Sequence, residues 1–342
     1  MRSGTATSLG HPYRKGNVMA AASGRFVGID GAKASLDVWI LPANTHFTVP
    51  TTEAGWRWLM TRIGPGPGGP MVLEATEVDH LGLTDALAAA GMPPVIVTPR
   101  WTYHFARSQG TRATTGRCDA RLLAAYARRA LATVRPLPSA TARTLTALIA
   151  RRSELTKMLT MEQHRRHTAD ACLHPDLDGH IADLRTCRRA IDRELTVVVA
   201  GDPFWHRRVA MLRSIPGIGP TRSVPLAVRL QELGDLTRQA IAALAGVAPH
   251  ARDSERYRGR RTIGGGRRDV CKALYQGSVV MRTHHPPMRA HGEHLVARGK
   301  EPNVALVAVA RRSLGIMAAM VRDDLLWQDT KVGQGHFMPT PG

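Results

Sequence analysis

The sequence predicts a mixed α/β amino-terminal domain, a helical hairpin or coiled-coil region, and a mostly α-helical carboxy-terminal domain. Three strand patterns follow one another between residues 25 and 49, and helix and strand patterns then alternate up to residue 135. Residues 136–208 are polar and helical throughout, and residues 209–328 contain a further series of helical runs. With 342 residues and 43% hydrophobic residues, the chain is long enough for two domains with separate cores. We expect residues 1–24 to be a mobile tail and residues 329–342 a second tail.

The order of elements in residues 25–135 is typical of a ribonuclease-H-like α/β fold. The patterns predict strands at 25–30, 34–41, 45–49, 71–75 and 94–98, and helices at 52–63, 81–90 and 119–131. Three consecutive strands differ from the repeated βαβ units of a dinucleotide-binding domain, and the chain has no GxGxxG motif.

Three acidic residues stand out in this domain. Asp30 ends the first strand, Glu74 lies inside an apolar strand, and Asp119 opens a helix. A carboxylate inside an apolar strand is costly unless it is paired or binds a metal. Taken alone, Asp119 is explained as a helix cap and Glu74 as a salt-bridge partner. For the three together, we favour a site that binds Mg²⁺.

The region 136–208 is predicted to form two long helices. Apolar residues recur at helical spacing in 140–168 and 181–199, and Pro175 interrupts the pattern between them. This pattern indicates a helical hairpin, or a coiled coil between protomers.

The carboxy-terminal domain, residues 209–328, begins with a glycine turn between two helical runs. The segment Ser214-Ile-Pro-Gly-Ile-Gly-Pro220 resembles a helix-hairpin-helix element, in which the backbone N–H groups near Gly217 and Gly219 contact a nucleic-acid phosphate. Further helices are predicted at 236–245, 270–281 and 304–326. Around Pro286 and Pro287, four histidines indicate a loop rather than a metal site.

Between two of these helices lies a serine beside a dense group of arginines. Ser254 is followed by the candidate nucleic-acid-binding residues Arg256, Arg258, Arg260, Arg261, Arg267 and Arg268. Arginine forks bind phosphate oxygens in a fixed geometry, and a hydroxyl beside such a cluster is suited to phosphoryl transfer. The simpler interpretation is a phosphate-binding loop in which Ser254 only caps a helix.

The amino-acid composition indicates which kind of partner the protein binds and in which cellular compartment it works. The net charge of +20 and a pI near 11.1 indicate a polyanionic partner, with nucleic acid first and an acidic membrane surface second. The four cysteines form no CxxC pair, which favours a reducing cytoplasm. Arg311 and Arg312 interrupt the most apolar late run, so we expect no membrane span there.

Six pieces of the sequence, in this order, resemble the DEDD-type insertion-sequence transposases, over about residues 25–328. They are Val27-Gly-Ile-Asp30, Leu73-Glu-Ala-Thr76, Asp119-Ala-Arg-Leu-Leu-Ala124, Ile215-Pro-Gly-Ile-Gly-Pro220, Leu244-Ala-Gly-Val-Ala-Pro249, and Arg252-Asp-Ser254 with Arg258-Gly-Arg-Arg-Thr-Ile-Gly-Gly265.

The resemblance implies a RuvC-like domain, a carboxy-terminal transposase domain and a recombinase guided by a bridge RNA. By motif position, Asp30, Glu74 and Asp119 would bind Mg²⁺, and Ser254 would attack a phosphate of donor or target DNA and form a phosphoserine link. The family also implies a homo-oligomer, a dimer or tetramer. We expect the acids and Ser254 to act on one phosphate, with Arg258, Arg260 or Arg261 stabilising the developing charge.

The sequence departs from this family at two positions. The third acid of the family pattern would lie three residues before Asp119, where this chain has Gly116. Glu77 or Asp79 is a possible substitute, and an aspartate restored at 116 would raise activity if the site is impaired. The residue after Ser254 is Glu255, where the family usually has glycine.

Two other functions stay open at this point. A metal-dependent nuclease of the Holliday-junction type would use the acids alone and form no covalent intermediate. A catalytically impaired, nucleic-acid-binding relic would bind in a salt-dependent manner and cleave nothing, and Gly116 is its best support.

Overall fold

The computed structural model describes residues 24–64, 68–74, 80–110, 115–129, 138–251, 253–254, 257–259 and 261–327. The chain divides into two compact units, Met1–Leu137 and Pro138–Gly342. The first unit is a mixed α/β sheet domain and the second is mostly helical, which confirms the predicted fold class at this level.

The first unit is built on a five-stranded sheet with the order β3-β2-β1-β4-β5. Its strands are β1 (Arg25–Gly31), β2 (Ser35–Leu41), β3 (Thr45–Pro50), β4 (Gly68–Glu74) and β5 (Val95–Val97). The first three strands form an antiparallel meander, while β4 is parallel to both β1 and β5. Because parallel strands end at the same edge, the carboxyl ends of β1 and β4 are neighbours.

Helices cover both faces of this sheet. The helices are α1 (Glu53–Ile63), α2 (His80–Ala89), α3 (Pro99–Ser108) and α4 (Gly116–Arg129). Helices α1 and α2 pack on the face formed by Val27, Ile29 and Val38, and α4 packs on the opposite face with Phe26 and Val72. Alternating strand residues therefore enter two different cores.

The second unit begins with a long antiparallel helical pair. Helix α5 (Ala140–Thr168) and helix α6 (His174–Ala200) are joined by a 3-10 turn, and Pro175 stands in the first turn of α6, where no donor N–H is needed. Leu155, Leu159, Ile181 and Leu184 form a small core along the pair. The hairpin interpretation therefore agrees with the described helices.

The remaining helices of this unit pack into one large core. They are α7 (Pro203–Arg213), α8 (Pro220–Arg229), α9 (Arg238–Leu244), α10 (Arg268–His284), α11 (Pro286–Ala297) and α12 (Pro302–Arg322). Four two-residue strands lie between α9 and α10: β6 (Pro249–His250), β7 (Asp253–Ser254), β8 (Tyr257–Arg258) and β9 (Thr262–Ile263).

Two features of this unit differ from the sequence interpretation or qualify it. The prediction of a loop around Pro286 and Pro287 is wrong, because both prolines stand in the first turn of helix α11. His285 caps this helix: its Nδ1 accepts a hydrogen bond from the Met288 N–H. By length and composition alone, α12 could cross a membrane, but half of its most apolar window is buried inside the protein. Val309, Leu314 and Met317 on α12 lie in the main core, which is the position of a core helix.

Candidate active site

Three carboxylates lie on one face of the sheet in the first unit. Asp30 is directly opposite Asp37 in the antiparallel β1–β2 pair, and Glu74 ends β4. Because strand side chains alternate, these three residues share the face that contacts α4, on which Trp39 and Val72 are buried. The sheet therefore gathers acids from three adjacent strands.

Helix α4 adds the fourth carboxylate. The helix begins at Gly116, and the Cys118 N–H donates to the Thr115 hydroxyl, so Asp119 stands in the first turn rather than at the cap. The interpretation of Asp119 as an N-cap residue is therefore wrong. Its carboxyl is left free to take part in the acidic group.

Mutual repulsion and burial change the protonation of this group. The pKa of Asp30 is raised from 3.8 to about 6, first by burial and then by the charges of Asp119, Glu74 and Asp37. Burial also raises the pKa of Asp119. Asp30 is therefore the centre of a group of four acids whose negative charges oppose one another.

Two of the acids are held in place by neighbouring side chains. His46 Nε2 lies 2.9 Å from Asp37 Oδ1, and the Thr48 hydroxyl donates to the same oxygen at 2.8 Å. The Thr102 hydroxyl lies 2.9 Å from Glu74 Oε2. Such contacts restrict the rotamers of Asp37 and Glu74 and orient their remaining oxygens.

The donor chemistry of this group suits a hard divalent cation. Carboxylate oxygens are the preferred ligands of Mg²⁺ and Mn²⁺, and a cation would relieve the repulsion around Asp30. Across the described ranges, no three acidic, histidine or cysteine side chains already form a closed metal-binding group. A bound cation would therefore have to draw these carboxylates together. Glu77 and Asp79, the suggested substitutes for the third acid, lie outside the described residues.

The sequence predicted Asp30, Glu74 and Asp119 as a group of acids, and the structure places Asp37 beside them. The signal was present, because Asp37 lies within the apolar run Leu36-Asp-Val-Trp-Ile-Leu41, just as Glu74 lies within the predicted apolar strand 71–75. What the sequence could not give was the register that places Asp37 opposite Asp30.

Ser254 lies in a segment of the second unit that forms two short antiparallel strand pairs, β6 with β9 and, between them in sequence, β7 with β8. In the outer ladder, Pro249 pairs with Ile263 and His250 with Thr262. In the inner ladder, Asp253 pairs with Arg258, and Ser254 with Tyr257. The segment predicted as loop-like thus contains two antiparallel strand pairs, and we call residues 249–263 the serine hairpin.

Glycines bring the two ends of the serine hairpin together. A Cβ on Gly266 would lie 2.3 Å from the Gly246 nitrogen, and a Cβ on Gly246 would lie 2.7 Å from the Gly265 carbonyl oxygen. Both Gly246 and Gly266 have positive φ angles, 72° and 66°. The Arg267 N–H donates to the Leu244 carbonyl at 2.9 Å, which closes the base of the hairpin onto α9.

The predicted nucleic-acid-binding arginines differ in their surroundings. Arg261 and Arg268 are exposed. Arg267 instead forms a bidentate ion pair with the buried Glu232, at 2.6 and 2.7 Å, and contacts the Arg229 carbonyl. The structure thus gives Arg267 a role in the fold that the sequence did not predict. Arg256 and Arg260 lie outside the described residues, and Arg258 is described only as part of β8.

The predicted glycine turn connects α7 to α8. Gly217 has a φ of 86°, and a Cβ there would lie 2.7 Å from the Gly277 carbonyl oxygen of α10. Gly219 caps α8, and a Cβ there would meet no atom within 4 Å. Gly217 therefore lets the turn pack on α10, whereas Gly219 faces open space.

Two families of known proteins match parts of this chain. Residues 27–169 match the DEDD_Tnp_IS110 family, described as a transposase. Residues 209–293 match a family described as transposase IS116/IS110/IS902. The first match includes Asp30, Glu74 and Asp119, and the second includes Gly217, Gly219 and Ser254.

Several known proteins are similar to the chain. The pilin gene-inverting protein of Moraxella bovis is 23% identical over 309 residues, covering 87% of this chain and 96% of that protein. The pilin gene-inverting protein of Moraxella lacunata gives the same identity and coverage. The insertion element IS110 uncharacterized 43.6 kDa protein of Streptomyces coelicolor is 26% identical over 159 residues, covering 45% of this chain and 38% of that protein.

Proposed function

We propose that this chain, whose residues 27–169 and 209–293 match two families of IS110-type transposases, is a transposase that cuts and rejoins DNA under RNA guidance. In this proposal a Mg²⁺-dependent acidic site in an RNase H-like (RuvC-like) domain cooperates with a serine nucleophile. The observation that supports it most directly is the half-buried Asp30, close enough to Glu74 and Asp119 for their charges to raise its pKa.

Asp30, Glu74 and Asp119 are the residues that would hold the cation. The chemistry supplied there is Lewis-acid polarisation of a phosphodiester oxygen. The protein's own contribution is to fix the acids: β1 and β4 hold Asp30 and Glu74, the first turn of α4 holds Asp119, and Thr102 orients Glu74. The covered face of the sheet also limits access of bulk water to Asp30.

Ser254 is the proposed nucleophile of the second unit. Its Oγ would form a bond to phosphorus while one P–O ester bond of the DNA backbone breaks, and its proton would end on the released sugar hydroxyl. The number of ester bonds is unchanged, so the phosphoserine link conserves the energy needed to rejoin the strand. The support is the serine hairpin, which glycine contacts at its base hold in a defined conformation.

Nucleic acid contacts would come from basic side chains around these sites. The exposed Arg261 and Arg268, together with Arg256, Arg258 and Arg260, are proposed to bind phosphates of DNA and of the guide RNA. Gly219, at the open side of the glycine turn, is a further proposed phosphate contact. We propose that the protein works as a homo-oligomer in the cytoplasm, with the helical pair α5–α6 as a contact between protomers.

We further propose that recombination by this chain includes inversion of a DNA segment as well as insertion. The two Moraxella proteins are named pilin gene-inverting proteins. A reversible serine–DNA link would serve inversion and transposition equally.

A covalent-trapping experiment tests the proposal. The full-length protein is mixed with Mg²⁺, the RNA flanking its gene and matching donor and target DNA, and the products are separated on a denaturing gel. We expect a protein–DNA adduct in the wild type and none in Ser254→Ala or Asp30→Ala. Cleaved DNA without an adduct would refute the serine step and indicate a metal-dependent nuclease. Binding without cleavage, in the presence of any divalent cation, would indicate a nucleic-acid-binding relic.

A further inference from the structure

The first residue of α4, Gly116, stands beside the acidic group. A Cβ at this position would lie 2.3 Å from Asp37 Oδ2 and 3.4 Å from Asp30 Oδ2. A distance of 2.3 Å is far below any non-bonded contact between carbon and oxygen, so a side chain at 116 would have to displace the Asp37 carboxylate. The space that an acidic side chain at 116 would use is therefore occupied by another carboxylate.

The orientation of Asp37 is fixed from the opposite side. His46 and Thr48, both on β3, contact Oδ1 at 2.9 and 2.8 Å. The other oxygen, Oδ2, is the one that lies toward Gly116 and Asp30. An ordinary surface ion pair with His46 would explain the position of Asp37 Oδ1 but not that of Oδ2. It would not require an acid opposite Asp30, nor glycine at the helix start.

We propose that Asp37 supplies from β2 the acidic group that Gly116 does not supply from α4. The cation-binding acids of this chain are then Asp30, Asp37, Glu74 and Asp119. His46 and Thr48 are positioning residues that direct Asp37 Oδ2 toward the site. This inference rests on the proposed acidic metal site and adds one ligand to it.

The proposal reverses the expectation for residue 116. If the missing acid at position 116 weakened cation binding, Gly116→Asp would strengthen cation binding. If Asp37 already fills the position, Gly116→Asp alone forces two carboxylates into one space and weakens cation binding. The double variant Asp37→Ala/Gly116→Asp removes the conflict and returns the acid to the helix.

Binding of Mn²⁺ to the full-length protein tests this without any DNA reaction. The loss of the free Mn²⁺ signal in electron paramagnetic resonance gives the affinity of each variant. We expect Asp37→Asn to weaken binding by at least about tenfold. We expect Asp37→Ala/Gly116→Asp to bind within about threefold of the wild type, because the number of carboxylates is unchanged.

Controls separate this inference from the proposed function. Glu53→Gln, at an exposed position on α1, should leave Mn²⁺ binding unchanged, and circular dichroism would verify the fold of every variant. Weak binding in Asp30→Asn with normal binding in Asp37→Asn would overturn the role of Asp37 and keep the metal site. Normal binding in Asp30→Asn, or no binding in the wild type, would overturn both. If Asp37→Asn does not fold, the double variant decides: binding like the wild type supports the proposal, and lost binding in a folded protein overturns it.

Discussion

Gly28 on β1 and Ala120 on α4 approach so closely that a Cβ on Gly28 would lie 2.2 Å from the Ala120 carbonyl oxygen. The same Cβ would lie 2.2 Å from the backbone nitrogen of Ala124. Both neighbours are backbone atoms, which cannot rotate away. Gly28 therefore sets the distance between the strand that contains Asp30 and the helix that contains Asp119.

We predict that Gly28→Ala lowers the free energy of unfolding by about 3 kcal/mol, at the upper end of the cost of overpacking a core. It should also weaken Mn²⁺ binding, since α4 must move away from β1. Chemical denaturation followed by tryptophan fluorescence measures the first effect. Gly179→Ala is the matched control, because a Cβ on this glycine of α6 meets no atom within 4 Å, and alanine favours a helix. Equal stability of the two variants would contradict the close contact.

Without a divalent cation, the stability of the protein should fall as the pH rises from about 4 to 6. The pKa of Asp30 is raised from 3.8 to about 6, so in this range the folded state holds a proton that the unfolded state has lost. Asp30→Asn removes this penalty. We expect the variant to be more stable than the wild type by about 1 kcal/mol at pH 7 in EDTA, after discounting for partial solvent exposure.

Denaturation curves at pH 4, 5, 6 and 7 measure this difference. The difference in the free energy of unfolding between Asp30→Asn and the wild type should widen as the pH rises and become constant above pH 7. If this difference in free energy were the same at every pH from 4 to 7, Asp30 would ionise at its ordinary pKa in the folded protein.

Cation affinity should have the opposite pH dependence. A cation binds the ionised form of Asp30, so below the pKa of about 6 the apparent affinity for Mn²⁺ should fall about tenfold for each pH unit. Titration calorimetry at pH 5, 6 and 7, in buffers of different ionisation enthalpy, would report both the affinity and the released proton. A constant affinity across this range would contradict the raised pKa of Asp30.

The strands and long helices were predictable because their signals are local. Thr52 caps α1 by accepting the Gly55 N–H, and Ser139 caps α5 in the same way with Ala142. Helix α11 was missed because a pair of prolines usually indicates a loop. Here both prolines occupy the first turn, whose N–H groups have no partner inside the helix.

The composition of the acidic site was only partly predictable, for a different reason. In the sequence, Asp30 is visible as an acid at the end of an apolar strand and Glu74 as an acid inside one, but the contribution of Asp37 depends on its pairing opposite Asp30. Hydrophobic alternation predicts which side chains share a face of one strand. It does not give the register between two strands, which the turn after Gly31 sets here.

The ion pair between Arg267 and Glu232 should contribute more to stability than to nucleic acid binding. Glu232 is 7% exposed and Arg267 32% exposed, so Arg267→Ala removes a bidentate cationic partner from a nearly buried carboxylate. We expect a loss of about 2 kcal/mol in the free energy of unfolding. Thermal denaturation measures it. Arg268→Ala, one residue later and exposed, is the control and should change stability by less than about 0.5 kcal/mol.

The exposed arginines Arg261 and Arg268 should contribute more to nucleic acid binding than to stability. If Arg261 and Arg268 each contact a phosphate, replacing either one with alanine should weaken binding to DNA of any sequence. It should also reduce the slope of log affinity against log salt by about 1. Fluorescence anisotropy with a labelled duplex at several salt concentrations measures both quantities. Because Arg267 is already paired with Glu232, a folded Arg267→Gln variant should keep the wild-type salt slope. A slope reduced equally in all three variants would mean that Arg267 leaves Glu232 to bind phosphate.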